Sequence, residues 1–341
     1  NIKMISIIAL CVAFFLTVIF VDRLVIRRLR VKRIAQKAIL ITGCDSGFGF
    51  DLALKCLDNG MTVFASCRTQ QGVDLLQSKS VKTATGRLYA FIMDVTSDIS
   101  VQRGVTFVEK TLEETNQDLY NLINNAGILG NSAFDDFLRL EDYKEVVEVN
   151  TYGAIRVTHA FKDLIKASRG RIIGITSSCC RGYIPGTGPY SISKHAIQGY
   201  FQVLRQELRL FGVEVIIIEP GFFSTALINY EKVERMTKTL WEQSSDRIRQ
   251  QYGNEFIEKY TNCAIKLLSA TSSTHTEWVV NAYYHAATAR FPYRYYRIGY
   301  DSLLVFVPFS YMPPILQDFI VWLVRTIVGF PVPAVTKASG R

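Results

Sequence analysis

Six short apolar runs, at residues 37–42, 61–66, 88–93, 119–124, 170–176 and 213–219, alternate with segments of helical periodicity. This rhythm constrains the fold more than any other feature of the chain. Strands that recur after an intervening helix pair in parallel, and a parallel sheet is covered by helices on both faces. No linker rich in Pro, Gly or Ser divides residues 36–290, and no internal repeat is visible. The 341 residues would allow one large domain or two small ones. The unbroken alternation predicts one α/β domain built on a single doubly wound parallel sheet.

The first run, Lys37-Ala-Ile-Leu-Ile-Thr42, leads straight into Gly43-Cys44-Asp45-Ser46-Gly47-Phe48-Gly49. A helical pattern from Phe50 to Leu57 follows and stops at Asp58-Asn59-Gly60. Strand, glycine turn and helix is the setting a dinucleotide needs. Glycines let backbone amides approach the pyrophosphate, and the helix N-terminus offers partial positive charge. The spacing is Gly-x-x-x-Gly-x-Gly, not the commoner Gly-x-Gly-x-x-Gly. Asp94 closes a later run, Tyr89-Ala-Phe-Ile-Met-Asp94, where a carboxylate can accept from an adenine amino group. Leu122-Ile-Asn124-Asn125-Ala126-Gly127 is another strand that ends in small and amide residues. Asn150 falls near the middle of a helical pattern, where a buried amide is more often a cap or a kink than a catalyst. In this order the pieces predict a Rossmann-type cofactor domain.

Tyr190 and Lys194 stand four residues apart, so a helix places the phenol and the ammonium on one face. A free tyrosine titrates near pH ~10, and a neighbouring cation favours the phenolate, the form that accepts a proton from an alcohol. With 17 tyrosines, this spacing alone is weak. Its weight comes from the glycine turn upstream and from the Ser177-Ser178 pair.

Together these motifs resemble the short-chain dehydrogenase/reductase family over roughly residues 36–290. The matching positions are Thr42-Gly-x-x-x-Gly-x-Gly49, Asn124-Asn-Ala-Gly127, Asn150, Ser178, Tyr190-x-x-x-Lys194, and Pro220-Gly221 with Thr225. A closer likeness is to the membrane-associated retinol and hydroxysteroid dehydrogenase branch, which also holds a mitochondrial hydroxybutyrate dehydrogenase. It rests on Ile41-Thr-Gly-Cys-Asp-Ser-Gly-Phe-Gly49, Val149-Asn-Thr-Tyr-Gly-Ala-Ile-Arg-Val-Thr158, Arg169-Gly-Arg-Ile-Ile173 and Tyr296-Arg-Ile-Gly-Tyr-Asp301. The resemblance implies that Tyr190 is the acid/base, that Lys194 lowers its pKa and holds the nicotinamide ribose, and that Asn150 holds a water linking Lys194 to solvent. A serine steadies the reacting oxygen. Ser178 lies 12 residues before Tyr190 and Ser177 lies 13; the branch usually runs at 12, so Ser178 is expected. Hydride passes directly between carbon and nicotinamide, and no Cys/His cluster has zinc-ligand spacing. The second run, Met61-Thr-Val-Phe-Ala-Ser-Cys-Arg68, ends without the acidic residue that binds the ribose 2′-hydroxyl of NAD. Arg68 can pair with a 2′-phosphate, while Asp45 would repel one and several relatives use NAD. NADP(H) is favoured slightly over NAD(H).

The ends of the chain differ from this middle. Met4 to Val21 is an uncharged stretch of 18 residues, long enough for a bilayer, with no small-residue cleavage site after it. Seven cations between Arg23 and Lys37 face only Asp22 and supply six of the chain's net +9. This balance reads as a topology signal, not as nucleic-acid binding. Residues 1–35 are expected to form a membrane anchor with a basic flank, and the catalytic domain to face the cytosol, most simply at the endoplasmic reticulum. Mitochondrial or lumenal placement stays open, as does a homodimer. Seven scattered cysteines do not form a disulfide framework. Residues 226–262 look like amphipathic helices, and the resemblance implies that they cover the substrate. Residues 291–341 are apolar and aromatic; Ile315 to Phe330 carries Asp318 and Arg325 and suits an interfacial helix or lid better than a span.

Three functions fit. The first is a membrane-anchored oxidoreductase of retinol or hydroxysteroids. The second has the same chemistry on a small hydroxy acid such as 3-hydroxybutyrate, with Arg181 or His195 receiving the carboxylate. The third is a catalytically silent cofactor-binding scaffold.

Overall fold

The structure, a computed structural model, describes residues 13–15, 17–18, 20–80, 85–225 and 230–338. Six strands coincide with the apolar runs to within one residue: β1 (Lys37–Thr42), β2 (Thr62–Cys67), β3 (Arg87–Ile92), β4 (Asp118–Asn124), β5 (Arg171–Ile175) and β6 (Glu214–Pro220). A seventh, β7 (Tyr295–Ile298), extends the sheet past residue 290. The sequence reading missed it because four residues containing an arginine show neither an apolar run nor a clear alternation. All seven are parallel, in the order β3-β2-β1-β4-β5-β6-β7. The chain winds outward from β1 to β3 and restarts on the other side at β4. A crevice therefore opens at the carboxyl ends of β1 and β4, where ligands of such sheets bind.

Alternation along each strand sorts side chains to the two faces. Ile39 and Ile41 of β1 pack with Leu52, Val73, Leu76 and Val279, beneath the helices Gly47–Asp58, Gln70–Ser80 and Glu277–Thr288. Ala38 and Leu40 pack the opposite way with Val105, Val108, Phe161 and Phe201, beneath the helices Asp98–Thr115, Ala154–Ala167 and Gly188–Arg209. β1 is buried on both sides, as the centre of a parallel sheet requires. A smaller core joins Ala133 and Phe137 to Leu240, Phe256, Ile257 and Tyr260. The last four lie on the helices Tyr230–Gln243 and Phe256–Thr271, which follow the β6 loop.

The C-terminal helix Pro314–Val328 presents Ile315, Phe319, Trp322 and Ile327 outward, each more than half exposed. Buried Gln317 ties it down, donating to Phe309 O and Met312 O at 2.8 and 3.1 Å. Among the described residues no helix is long and apolar enough to cross a membrane. Most of the expected anchor, Met4 to Val21, lies outside the described residues.

Candidate active site

The glycine turn is locked onto the end of β4 by its neighbours. The Thr42 hydroxyl accepts from the backbone amides of Asn125 and Ala126, both at 3.1 Å, and the Asn125 amide donates to Thr42 O and Gly43 O at 3.0 and 3.2 Å. Gly43 has φ +71°, and a Cβ there would stand 2.7 Å from Ala126 Cα. A Cβ on Gly49 would stand 2.5 Å from both the Asn125 amide nitrogen and Gly43 O. Only glycine permits this closeness. The helix begins at Gly47, and the Ser46 side chain makes no capping bond to its first amides, which stay free for an anion. Thr225 stands against Gly47 on the far side of the turn. These features fit a dinucleotide pyrophosphate. Phe48 has a packing role instead, its ring 6.0 Å from that of Phe223 in an edge-on contact.

At the end of β2, Asp45 accepts from Arg68 N, Thr69 N and the Thr69 hydroxyl at 2.8, 3.0 and 2.8 Å. It thus spans from the glycine turn to the end of β2. Asp94 accepts from the amide and hydroxyl of Thr96 at 2.9 and 2.7 Å. Burial pushes its carboxyl upward, but Thr96, then Arg68 and Arg156, bring it below the ordinary value overall. Arg68 itself is exposed and close enough to Asp94 to share its field.

The side chains singled out by the sequence motifs gather at the carboxyl ends of β4 and β5. Tyr190 and Lys194 lie on the Gly188–Arg209 helix, with the Lys194 ammonium 5.5 Å from the Tyr190 ring centre. Lys194 is buried and donates weakly to Ile175 O at 3.5 Å. Asn150 sits in a π-helical turn, Glu148–Gly153, between two α-helical segments. Such turns often mark functional sites because they rotate a side chain out of the α-helical register. The Asn150 oxygen accepts from Ile128 N at 2.8 Å, and its amide donates to Ile128 O and the Ser193 hydroxyl at 2.9 and 3.0 Å. Both amide hydrogens are used and one oxygen lone pair remains. A Cβ at Gly127 would reach within 3.2 Å of the Asn150 oxygen and 3.7 Å of the Lys194 nitrogen, so the missing side chain keeps the wall between them open.

Two features bear on the serine pair and on the Tyr190–Lys194 pair. Ser178 is fully buried and its hydroxyl has no hydrogen-bond partner among the described residues. Ser177 is buried as well; its hydroxyl accepts from Cys179 N at 3.2 Å and lies near enough to Tyr190 to favour the phenolate. A short 3₁₀ turn, Ser178–Cys180, starts directly after Ser177 and turns Ser178 inward. Nor is the phenol lowered by its lysine. Burial pushes Tyr190 upward, aided by Cys179 and opposed by Ser177. Burial also lowers Lys194 from 10.5 to about 8, against the pull of Cys180 and Cys179. Burial is the largest cause of both shifts.

Beyond β6, Gly221 N donates to Ile298 O at 2.7 Å, and Phe222 N donates to an Asp301 oxygen at 2.7 Å. Pro220 closes β6. The Pro220-Gly221 turn is thus tied to β7 and Asp301. Fully buried Glu219, one residue earlier, is gripped by Arg181. The sequence reading assigned no role to Ser193, Glu219 or Asp301. Glu219 had a signal, as a carboxylate ending an apolar strand just before Pro-Gly, and Asp301 closes a motif that the resemblance already used; Ser193 had none.

Comparison with known proteins adds the following. A family model described as short chain dehydrogenase matches residues 37–235. The chain is 38% identical over 332 residues to the 3beta-hydroxysteroid dehydrogenase dhs-16 of Caenorhabditis elegans, covering 96% of this chain and 84% of that protein. It is 38% identical over 288 residues to retinol dehydrogenase 7 of Mus musculus, covering 84% and 88%. A short chain dehydrogenase/reductase from Burkholderia phymatum, solved in complex with NAD, superposes with a TM-score of 0.62 at 22% identity, covering 82% of this chain and 94% of that one. The last likeness is one of fold.

Proposed function

Because the chain belongs to the short chain dehydrogenase family, we propose that its NAD(P)-dependent oxidoreductase site acts on a lipophilic alcohol or its carbonyl, with retinol and hydroxysteroids as the substrate class. The observation that carries this reading is the convergence of Tyr190, Lys194, Ser177 and Asn150 beside an open glycine turn. When bound, the nicotinamide accepts or supplies the hydride. Tyr190 passes the proton to or from the substrate oxygen, and Ser177 donates a hydrogen bond to that oxygen. Lys194 supplies charge from below the phenol and holds the ribose. Asn150 fixes the wall at Ile128 and Ser193, and its free lone pair can hold a water toward Lys194.

The cover over the site supports an apolar substrate. Phe134, Phe137, Tyr252, Phe256 and Tyr260 form a continuous aromatic cluster, with ring centres 4.6–6.4 Å apart. The names of the relatives point the same way. A small hydroxy acid is disfavoured, because the cation proposed to receive it, Arg181, is committed to Glu219. His195 is exposed, and its ring nitrogen pairs with Ser191 O of its own helix. Arg68 favours NADP(H), while Asp45, held at the end of β2 by Arg68 N and Thr69, keeps the charge that opposes a 2′-phosphate. The exposed apolar C-terminal helix, together with the N-terminal apolar stretch and basic flank, supports work at a membrane, with the domain facing the cytosol.

A panel of retinol, hydroxysteroids and 3-hydroxybutyrate with each cofactor tests this reading. Turnover of the lipophilic alcohols is expected, and preference for 3-hydroxybutyrate would overturn it. Tyr190→Phe should cost about 10³-fold in kcat while cofactor binding persists. Arg68→Leu should weaken NADP(H) far more than NAD(H); equal weakening removes the basis for NADP(H).

A further inference from the structure

We propose that Arg181 and Glu219 are positioning residues that set the serine loop in register with the Pro220-Gly221 cofactor loop. This inference rests on the dehydrogenase reading of the site. The two loops leave adjacent strands. β5 and β6 pair up to Ile175 opposite Ile218, and Thr176 N donates to Ile218 O at 2.8 Å. Beyond that point the next cross-link between the loops is ionic. Arg181 Nε donates to both Glu219 oxygens at 3.0 and 3.2 Å, and a terminal guanidinium nitrogen donates to Oε2 at 2.9 Å. Arg181 stands three residues after the Ser178–Cys180 turn begins, and Glu219 directly precedes Pro220.

Geometry separates this pair from an ordinary surface bridge. The Glu219 side chain is 0% exposed and the Arg181 side chain 19%. The planar guanidinium fork contacts both carboxylate oxygens, which fixes orientation as well as distance. Arg297 of β7 approaches the same carboxylate from the other side, 3.6 Å from Oε1. A buried ion pair of this kind contributes little net stability, and its best-attested use is to specify register. Here the register decides where Ser177 meets Tyr190. A loop shift of about 1 Å can cost about 10²-fold in rate even when no reacting group is altered. Neither Arg181 nor Glu219 contacts Tyr190 or Lys194 through a hydrogen bond, so their effect passes through the loops.

The thiols of the molecule supply a built-in test. Cys179 and Cys180 lie on the serine loop, whereas Cys56 is buried in the core on the Gly47–Asp58 helix. In the full-length chain with cofactor, Arg181→Met and Glu219→Gln should each lower kcat about 10²-fold. KM for the cofactor should stay within a few-fold. Maleimide labelling of Cys180, read by mass spectrometry, should accelerate while that of Cys56 does not. Arg181→Lys, which keeps the charge but loses the fork, should fall between. Unchanged kcat in both variants overturns the proposal. So does a joint rise in Cys56 and Cys180 labelling, which marks global loosening. Glu219→Gln keeps the side-chain size and serves if Arg181→Met does not fold. If the wild-type chain turns over no lipophilic alcohol, the functional reading fails, and the labelling contrast still judges the clamp.

Discussion

Ser177 and Ser178 are neighbours in sequence and both are buried, but only Ser177 lies near enough to Tyr190 to favour the phenolate, while the Ser178 hydroxyl has no partner among the described residues. Ser177→Ala should therefore lower kcat by about 10²-fold, in the range of a lost oxyanion donor. Ser178→Ala should leave kcat within a few-fold, and steady-state kinetics of the two variants decides between them. Lys194 carries a second residue-scale consequence, with a definite sign. Its pKa falls from 10.5 to about 8 on folding, so below that value both states are protonated and the folded state bears the full cost of a buried cation. As the pH rises from about 8 toward 10.5, the folded chain sheds its proton while the unfolded chain keeps it, and stability rises. Lys194→Met should thus stabilise the cofactor-free chain by about 3 kcal/mol at neutral pH, and this gain should shrink above pH ~8. Denaturant unfolding across that window checks it; a gain independent of pH would refute the assignment. The motif spacing marks Tyr190 and Lys194 because one helix carries both. It does not distinguish Ser177 from Ser178, because a 3₁₀ turn rather than a periodic element decides which hydroxyl lies near Tyr190.

At the scale of elements, the glycine turn works because β1, β4 and the Gly47–Asp58 helix converge on it. Gly49 marks how tightly they do so. Gly49→Ala would force a methyl into the Asn125 amide and the Gly43 carbonyl, which stand 2.5 Å from its ideal position. The overpacking should destabilise the chain by about 1–3 kcal/mol. It should also weaken cofactor binding at least tenfold, read by thermal unfolding and cofactor fluorescence. An alanine variant with normal cofactor affinity would show that the turn does not cradle the ligand. Strands β1 to β6 were legible because buried parallel strands are continuous apolar runs. The π-turn at Asn150 was not, because an inserted residue leaves the helical pattern on either side intact. β7 escaped because four residues with an arginine show no apolar run, and its place depends on Arg294 O, Ile298 O and Asp301 meeting β6 across some 75–80 residues.

On the scale of the whole molecule, the catalytic sheet carries two apolar ends. The Pro314–Val328 helix exposes a row of large apolar side chains, and Cys263 of the Phe256–Thr271 helix donates to the carbonyls of Val328 and Gly329 at its end. Contiguous apolar surface of this kind marks a binding face. Protease added outside intact microsomes should degrade the sheet domain, and protection would overturn the cytosolic orientation. The amino-acid order alone determined the doubly wound sheet, the dinucleotide turn and the Tyr190–Lys194 pair. Each depends on local periodicity or on residues within a few turns of one another. The tertiary structure alone decided the burial of both serines, the commitment of Arg181 to Glu219, the anchoring of the Pro220-Gly221 turn by Asp301, and the direction of the pKa shifts. These depend on burial and on loops from separate strands meeting at one edge of the sheet. Desolvation and packing exist only once the chain has closed, so no spacing in the sequence encodes them directly.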